Sequence, residues 1–145
     1  VSDEYAGLSS AERDRLERFA RAFEDIDPNE YALLVGTAAS DEAAAGVRDL
    51  VNQALGSPSR RAAAKRAMQA FSDAAAQAMA RRFRVAELLL GPRGLVARPA
   101  EQVRFLVSLE RTVAAVIVWD QLTDDEREAV AGPWARLVDR ALGAA

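Results

Sequence analysis

Glu110 lies in the most apolar region of the chain, three residues before its longest apolar run, the seven residues Val113 to Trp119. On a helix from Pro99 to Asp120, an advance of about 100° per residue gathers Val103, Leu106, Val107, Val113, Ala114 and Ile117 on one face. Glu110 falls among them. A carboxylate among aliphatic side chains costs free energy unless a cation or donor pairs with it. Two chemistries suit such a group. It can act as a general acid whose protonated form is favoured by burial, or as the polar anchor of an apolar ligand pocket.

Arg82 is the matching anomaly. It falls on the apolar face of the preceding helix with Ala64, Ala67, Met68, Phe71, Ala74, Ala75 and Ala78, and Met79 borders that face. The expectation is a Glu110–Arg82 pair, because a planar guanidinium can hold a carboxylate by two bonds. Arg84 and Arg111 are alternatives from the same two helices. Trp119 and Trp134 are expected to be largely buried, where an indole N–H needs an acceptor and the ring can wall a pocket. The ligand-binding set read from the sequence is therefore Glu110, Arg82, Trp119, Trp134 and Met79. A purely structural ion pair explains the same pattern, so both readings stand at this point.

Composition removes many other chemistries. The 145 residues include no cysteine and no histidine. Disulfides, thiolate nucleophiles, cysteine zinc sites and every Ser-His-Asp or Cys-His arrangement are thereby excluded. Catalysis would have to use carboxylates, tyrosine, hydroxyls or the single lysine, Lys65. The acids Asp124, Asp125, Glu126 and Glu128 crowd one helix start and lack the alternating ligands and turn glycine of a calcium loop. They match the positive end of a helix instead. No metal and no cofactor is expected. Gly91-Pro92-Arg93-Gly94 lacks the Gly-Lys-Ser/Thr continuation of a phosphate loop and reads as a turn, with Arg93 a candidate contact for an anion.

Charge is segregated. Residues 1–50 carry twelve acids and five bases (−7), residues 51–100 two acids and nine bases (+7), and residues 101–145 eight acids and five bases (−3), which gives the net −3. The simplest expectation is that the segments neutralise one another in the fold; the alternative is an acidic partner for the middle one. Within 58–84 the bases scatter around the helix and no aromatic is interleaved to stack on a base, which argues against nucleic acid.

The elements that must position these residues all read as helix. Ser9 with Glu12 forms a capping box, and Leu16, Phe19, Ala20 and Phe23 make the first apolar stripe. Asp27-Pro28 starts a second helix with Glu30 completing its box, and Tyr31, Leu34, Val35 and Ala38 face inward. A third begins after Ser40, carries Val47, Leu50, Val51 and Ala54, and stops at Gly56. Ser57-Pro58 starts a fourth that runs to about Phe83, with Leu90 as its furthest end. The fifth spans 99–120 and is apolar all round in its second half, as befits the centre of a domain. Thr123 and Glu126 cap the last helix, which Gly132-Pro133 kinks or briefly interrupts while Val130, Trp134, Leu137 and Ala141 stay in phase.

The expected fold is all-α, one domain of about six helices around the fifth. Eighteen of the nineteen basic residues are arginine and alanine is abundant, the usage of a GC-rich bacterial genome. Val1-Ser2-Asp3-Glu4 has neither the basic stretch nor the apolar core of a signal peptide, and no run reaches the roughly 20 apolar residues of a membrane span, so a cytoplasmic location is expected. The expected function is that of a small interaction or regulatory domain. A pocket near Glu110, between the fourth, fifth and sixth helices, would take a small apolar ligand, or a helix face would meet a protein partner or a second copy. The alternatives are a histidine-free enzyme using Glu110 as general acid or base, and a weak nucleic-acid binder through residues 58–84.

Overall fold

Local capping sets the helix starts in the computed structural model, which describes residues 5–37, 41–90, 99–128, 130 and 132–143. Ser9 Oγ accepts from the Glu12 amide (3.2 Å) and Glu12 Oε1 from the Ser9 amide (2.7 Å), opening α1, Ser10–Glu24. Asp27 Oδ1 accepts from the Glu30 amide (2.8 Å) and starts α2, Pro28–Gly36. Glu30 does not close that box as expected. It turns its carboxylate to Arg140, which grips both oxygens at 2.8 and 3.0 Å. Helix α3, Asp41–Leu55, stops at Gly56, whose φ of +77° favours a residue without a Cβ. Ser57 Oγ accepts from the Arg60 amide (3.2 Å) to begin α4, Pro58–Leu90.

Helix α5, Pro99–Ile117, gives way to a 3₁₀ turn at Trp119–Gln121. The Thr123–Glu126 box opens α6, Asp124–Arg127, and α7, Gly132–Val138, follows and passes into a π-helical turn at Asp139–Gly143. The expected last helix is thus two, because α6 is only four residues long. Val130, Trp134 and Leu137 are all buried across the break. Seven α-helices and no strand are present among the described residues, an all-α bundle. The turn 91–94 with Arg93, and the positions of Ala38 and Ser40, lie outside the described residues.

Helix α5 is the hub, touching α1, α2, α3, α4 and α7. Every residue from Thr112 to Trp119 is buried. Its first half is turned away from the expected orientation. Phe105, Ser108 and Leu109 are buried, whereas Leu106 and Val107 are 36% and 45% exposed and Glu110 is exposed too. The two buried hydroxyls on this face are cheap to enclose in part because Thr112 Oγ1 donates to the Ser108 carbonyl (2.7 Å) within the helix. Phe105 gains more inside, where it joins Phe23, Tyr31 and Trp134 at ring-centroid distances of 6.3, 5.4 and 5.4 Å.

Arginines tie α1 to its neighbours. Arg15 Nε and Nη2 donate to the carbonyls of Val116 and Ile117 (3.1 and 2.6 Å), and Nη2 also meets Asp120 at 3.1 Å. These carbonyls close α5 and have no partner within the helix, so a cation there satisfies both their hydrogen bonding and the negative end of the helix. The turn before α1 lies directly on α4. A Cβ on Gly7, whose φ is +93°, would come within 2.7 Å of the Ala63 Cβ.

Candidate functional site

Three helices contribute apolar rows at helical spacing to one groove. Helix α3 presents Val47, Val51 and Leu55, each one turn from the next. Helix α4 adds Ala64 and Met68, and α5 adds Val107 and Ala114. Together they floor an open cavity of about 410 Å³. Its polar lining is mostly cationic: Arg48 from α3, Arg61 and Lys65 from α4, and Arg111 from α5, against a single carboxylate among the described residues, that of Glu110. Arg61 Nη1 also donates to the Gly56 carbonyl (3.2 Å), which steadies it at the α3–α4 turn. Glu110 forms no ion pair with Arg48, Arg61 or Lys65 among the described residues.

Glu110 is therefore at the edge of a groove, exposed, and not enclosed among aliphatic side chains. The expected pair with Arg82 is not formed. Arg82 lies about 25 Å further along α4 than Lys65, at about 1.5 Å per residue. Its guanidinium donates to the Glu24 carbonyl at the end of α1. The general-acid reading required enclosure of Glu110, and that enclosure is absent. A Glu110→Gln variant is expected to change the unfolding free energy by less than about 0.5 kcal/mol in a denaturant titration, as for other exposed positions.

The remaining residues of the expected set lie elsewhere. Met79 is buried and helps line a smaller cleft of about 220 Å³ between α1 and α4, with Phe23, Phe71 and Ala75. Trp119 is buried under the Arg127 guanidinium, 5.0 Å above its ring, and Arg127 also donates twice to the Trp119 carbonyl (3.1 and 2.7 Å). Trp134 is in the core, stacked on Phe23 (6.4 Å, 21°), with Nε1 donating to the Thr37 carbonyl (3.3 Å). Beside it, the space between α5 and α7 closes to about 10 Å³. A pocket among α4, α5 and the last helices is thus replaced by the groove among α3, α4 and α5.

The chain matches no family model, no curated protein and no solved structure. Among the described residues, no helix is long and apolar enough to cross a membrane, and no group of three or more carboxylates is placed to hold a metal ion.

Among the described residues the buried carboxylate is that of Glu12, only 3% exposed. Arg60 Nη1 donates to its Oε1 (2.7 Å) and Nη2 to its Oε2, and the Ser9 amide adds a third bond. The Arg60 bonds hold the Glu12 carboxyl at about 2, against an ordinary 4.5, and outweigh the opposing effect of burial. This pair joins the acidic first segment to the basic middle one. Other α4 arginines are also occupied locally: Arg66 reaches the Ala6 carbonyl and Arg82 the Glu24 carbonyl. The groove cations were within reach of a sequence reading. Arg61 and Lys65 are one turn apart and flank Ala64, a residue of the apolar face.

Proposed function

We propose that the groove between α3, α4 and α5 binds a small apolar molecule. The observation that carries this reading is an apolar floor, open to solvent, in a cavity of about 410 Å³. Ligand pockets commonly span about 300–1,000 Å³ and combine an apolar lining with a few polar groups that orient the ligand. Val107 supports it as well, since a valine left 45% exposed beside such a floor gains by being covered.

The test uses the neutral fluorophore N-phenyl-1-naphthylamine, whose emission rises in apolar surroundings. Saturable enhancement is expected with the native chain. A Val107→Glu variant is expected to bind it at least about tenfold more weakly, because the new charge would have to be desolvated. Val107 is exposed, so thermal unfolding of the variant should stay close to native. Absence of saturable binding to the native chain, or undiminished binding to the variant, would remove the groove as a ligand site.

A further inference from the structure

We infer that the molecule taken by this groove is an anionic amphiphile, an alkyl chain carrying a carboxylate head; this rests on the ligand-binding reading above. Three observations converge. The floor is aliphatic along the two turns of α3 marked by Val47, Val51 and Leu55, and among the described residues it offers neither an aromatic ring for stacking nor a cluster of acceptors. The distance from Val47 to Leu55 is about 12 Å at about 1.5 Å per residue, close to an extended medium-length alkyl chain such as decanoate. The rim is cationic in a chain whose overall charge is −3.

The rim can hold a head group without giving up its existing bonds. Arg48 and Lys65 are exposed, on α3 and α4, and neither is ion-paired among the described residues. Arg61 spends one Nη on the Gly56 carbonyl and retains further N–H donors. Arg111 adds positive potential while engaged in a contact of its own. The Glu110 carboxylate in the lining works against an anion placed near it and directs the head toward the α3 and α4 cations. A cationic or neutral head loses this complementarity, which is the basis of discrimination.

The experiment displaces bound N-phenyl-1-naphthylamine from the full chain at neutral pH with decanoate, decanol and decyltrimethylammonium, which share an alkyl chain and differ in head charge. Decanoate is expected to displace the probe at a concentration at least about tenfold below the other two, a ratio typical of a charge-assisted contact. Arg48→Gln/Lys65→Gln should reduce that ratio, taken against the same variant's own displacement by decanol, several-fold, and added salt should reduce it as well. Equal or better displacement by decanol overturns the head-group assignment and leaves the apolar site standing. Failure of the probe to bind at all instead removes the site. Light scattering on the same samples checks a second copy as the occupant: a dimer that forms as the probe is released without any amphiphile would also overturn the assignment.

Discussion

An Arg60→Ala variant is expected to lose about 3 kcal/mol of unfolding free energy at neutral pH, the range seen when one partner of a buried ion pair is removed. The guanidinium is 31% exposed but the carboxylate it serves is not. The cost arises mainly from Glu12, which would keep one backbone bond and lose two charge-assisted ones in a site that water reaches poorly. Adding Glu12→Gln to Arg60→Ala should restore part of the loss, because an amide is cheaper to bury than an uncompensated carboxylate. Denaturant titrations of the two variants and the native chain measure both effects. A drop below about 1 kcal/mol for Arg60→Ala would class the pair with ordinary surface bridges.

The same pair makes the fold acid-sensitive in a defined window. The Glu12 pKa is depressed in the folded chain, to about 2 from 4.5, so the unfolded chain binds the proton more readily. Its stabilisation is complete above pH 4.5 and is lost as pH falls from there toward 2. The shift corresponds to about 3 kcal/mol in full, of which about 2 kcal/mol should be gone by pH 3. In Arg60→Ala this component of the pH dependence should be largely missing. Stability curves of native and variant that stay parallel from pH 6 to 3 would contradict the assignment.

Trp134→Ala is expected to have the largest effect of any single replacement considered, about 4 kcal/mol of stability. For a chain of this size that corresponds to a melting temperature lower by about 10–15 °C. Trp134 is 1% exposed and fills the space where Phe23 and Phe105 converge. Its removal leaves a void that the rigid aromatic neighbours cannot close, and deprives the Thr37 carbonyl of its donor. Trp134→Phe retains most of the packing and should cost about half as much. Calorimetry on the two variants separates ring volume from the indole bond; equal melting temperatures for native and Trp134→Ala would mean that the α7 packing contributes nothing.

The residues of α5 show where local pattern stops being informative. Phe105 and Leu109 offer one apolar face, Leu106 and Val107 another, so periodicity alone does not choose which turns inward. Counting polar residues favours the wrong one, because Ser108 and Thr112 look like a wet side. In the structure they are buried, and Thr112 satisfies its hydroxyl on the Ser108 carbonyl four residues back. The decision came from Phe23, Tyr31 and Trp134, three residues far from α5 in sequence that together make a ring cluster for Phe105.

Glu12 was hidden for the complementary reason. As the third residue of a capping box it is fully explained by its neighbours, and nothing nearby signals a cation 48 residues away. The sequence by itself determined the all-α character, the caps at Ser9, Asp27, Ser57 and Thr123, the stripe of α1 and the buried second half of α5. Each depends on contacts within a few residues, or on a segment apolar on every side. Only the tertiary structure decided which face of α5 is wet, which acid is buried, and that α3 completes the groove beside Glu110. Those outcomes depend on which distant surfaces meet, and such pairings are set by packing across the whole molecule rather than by any one stretch of chain.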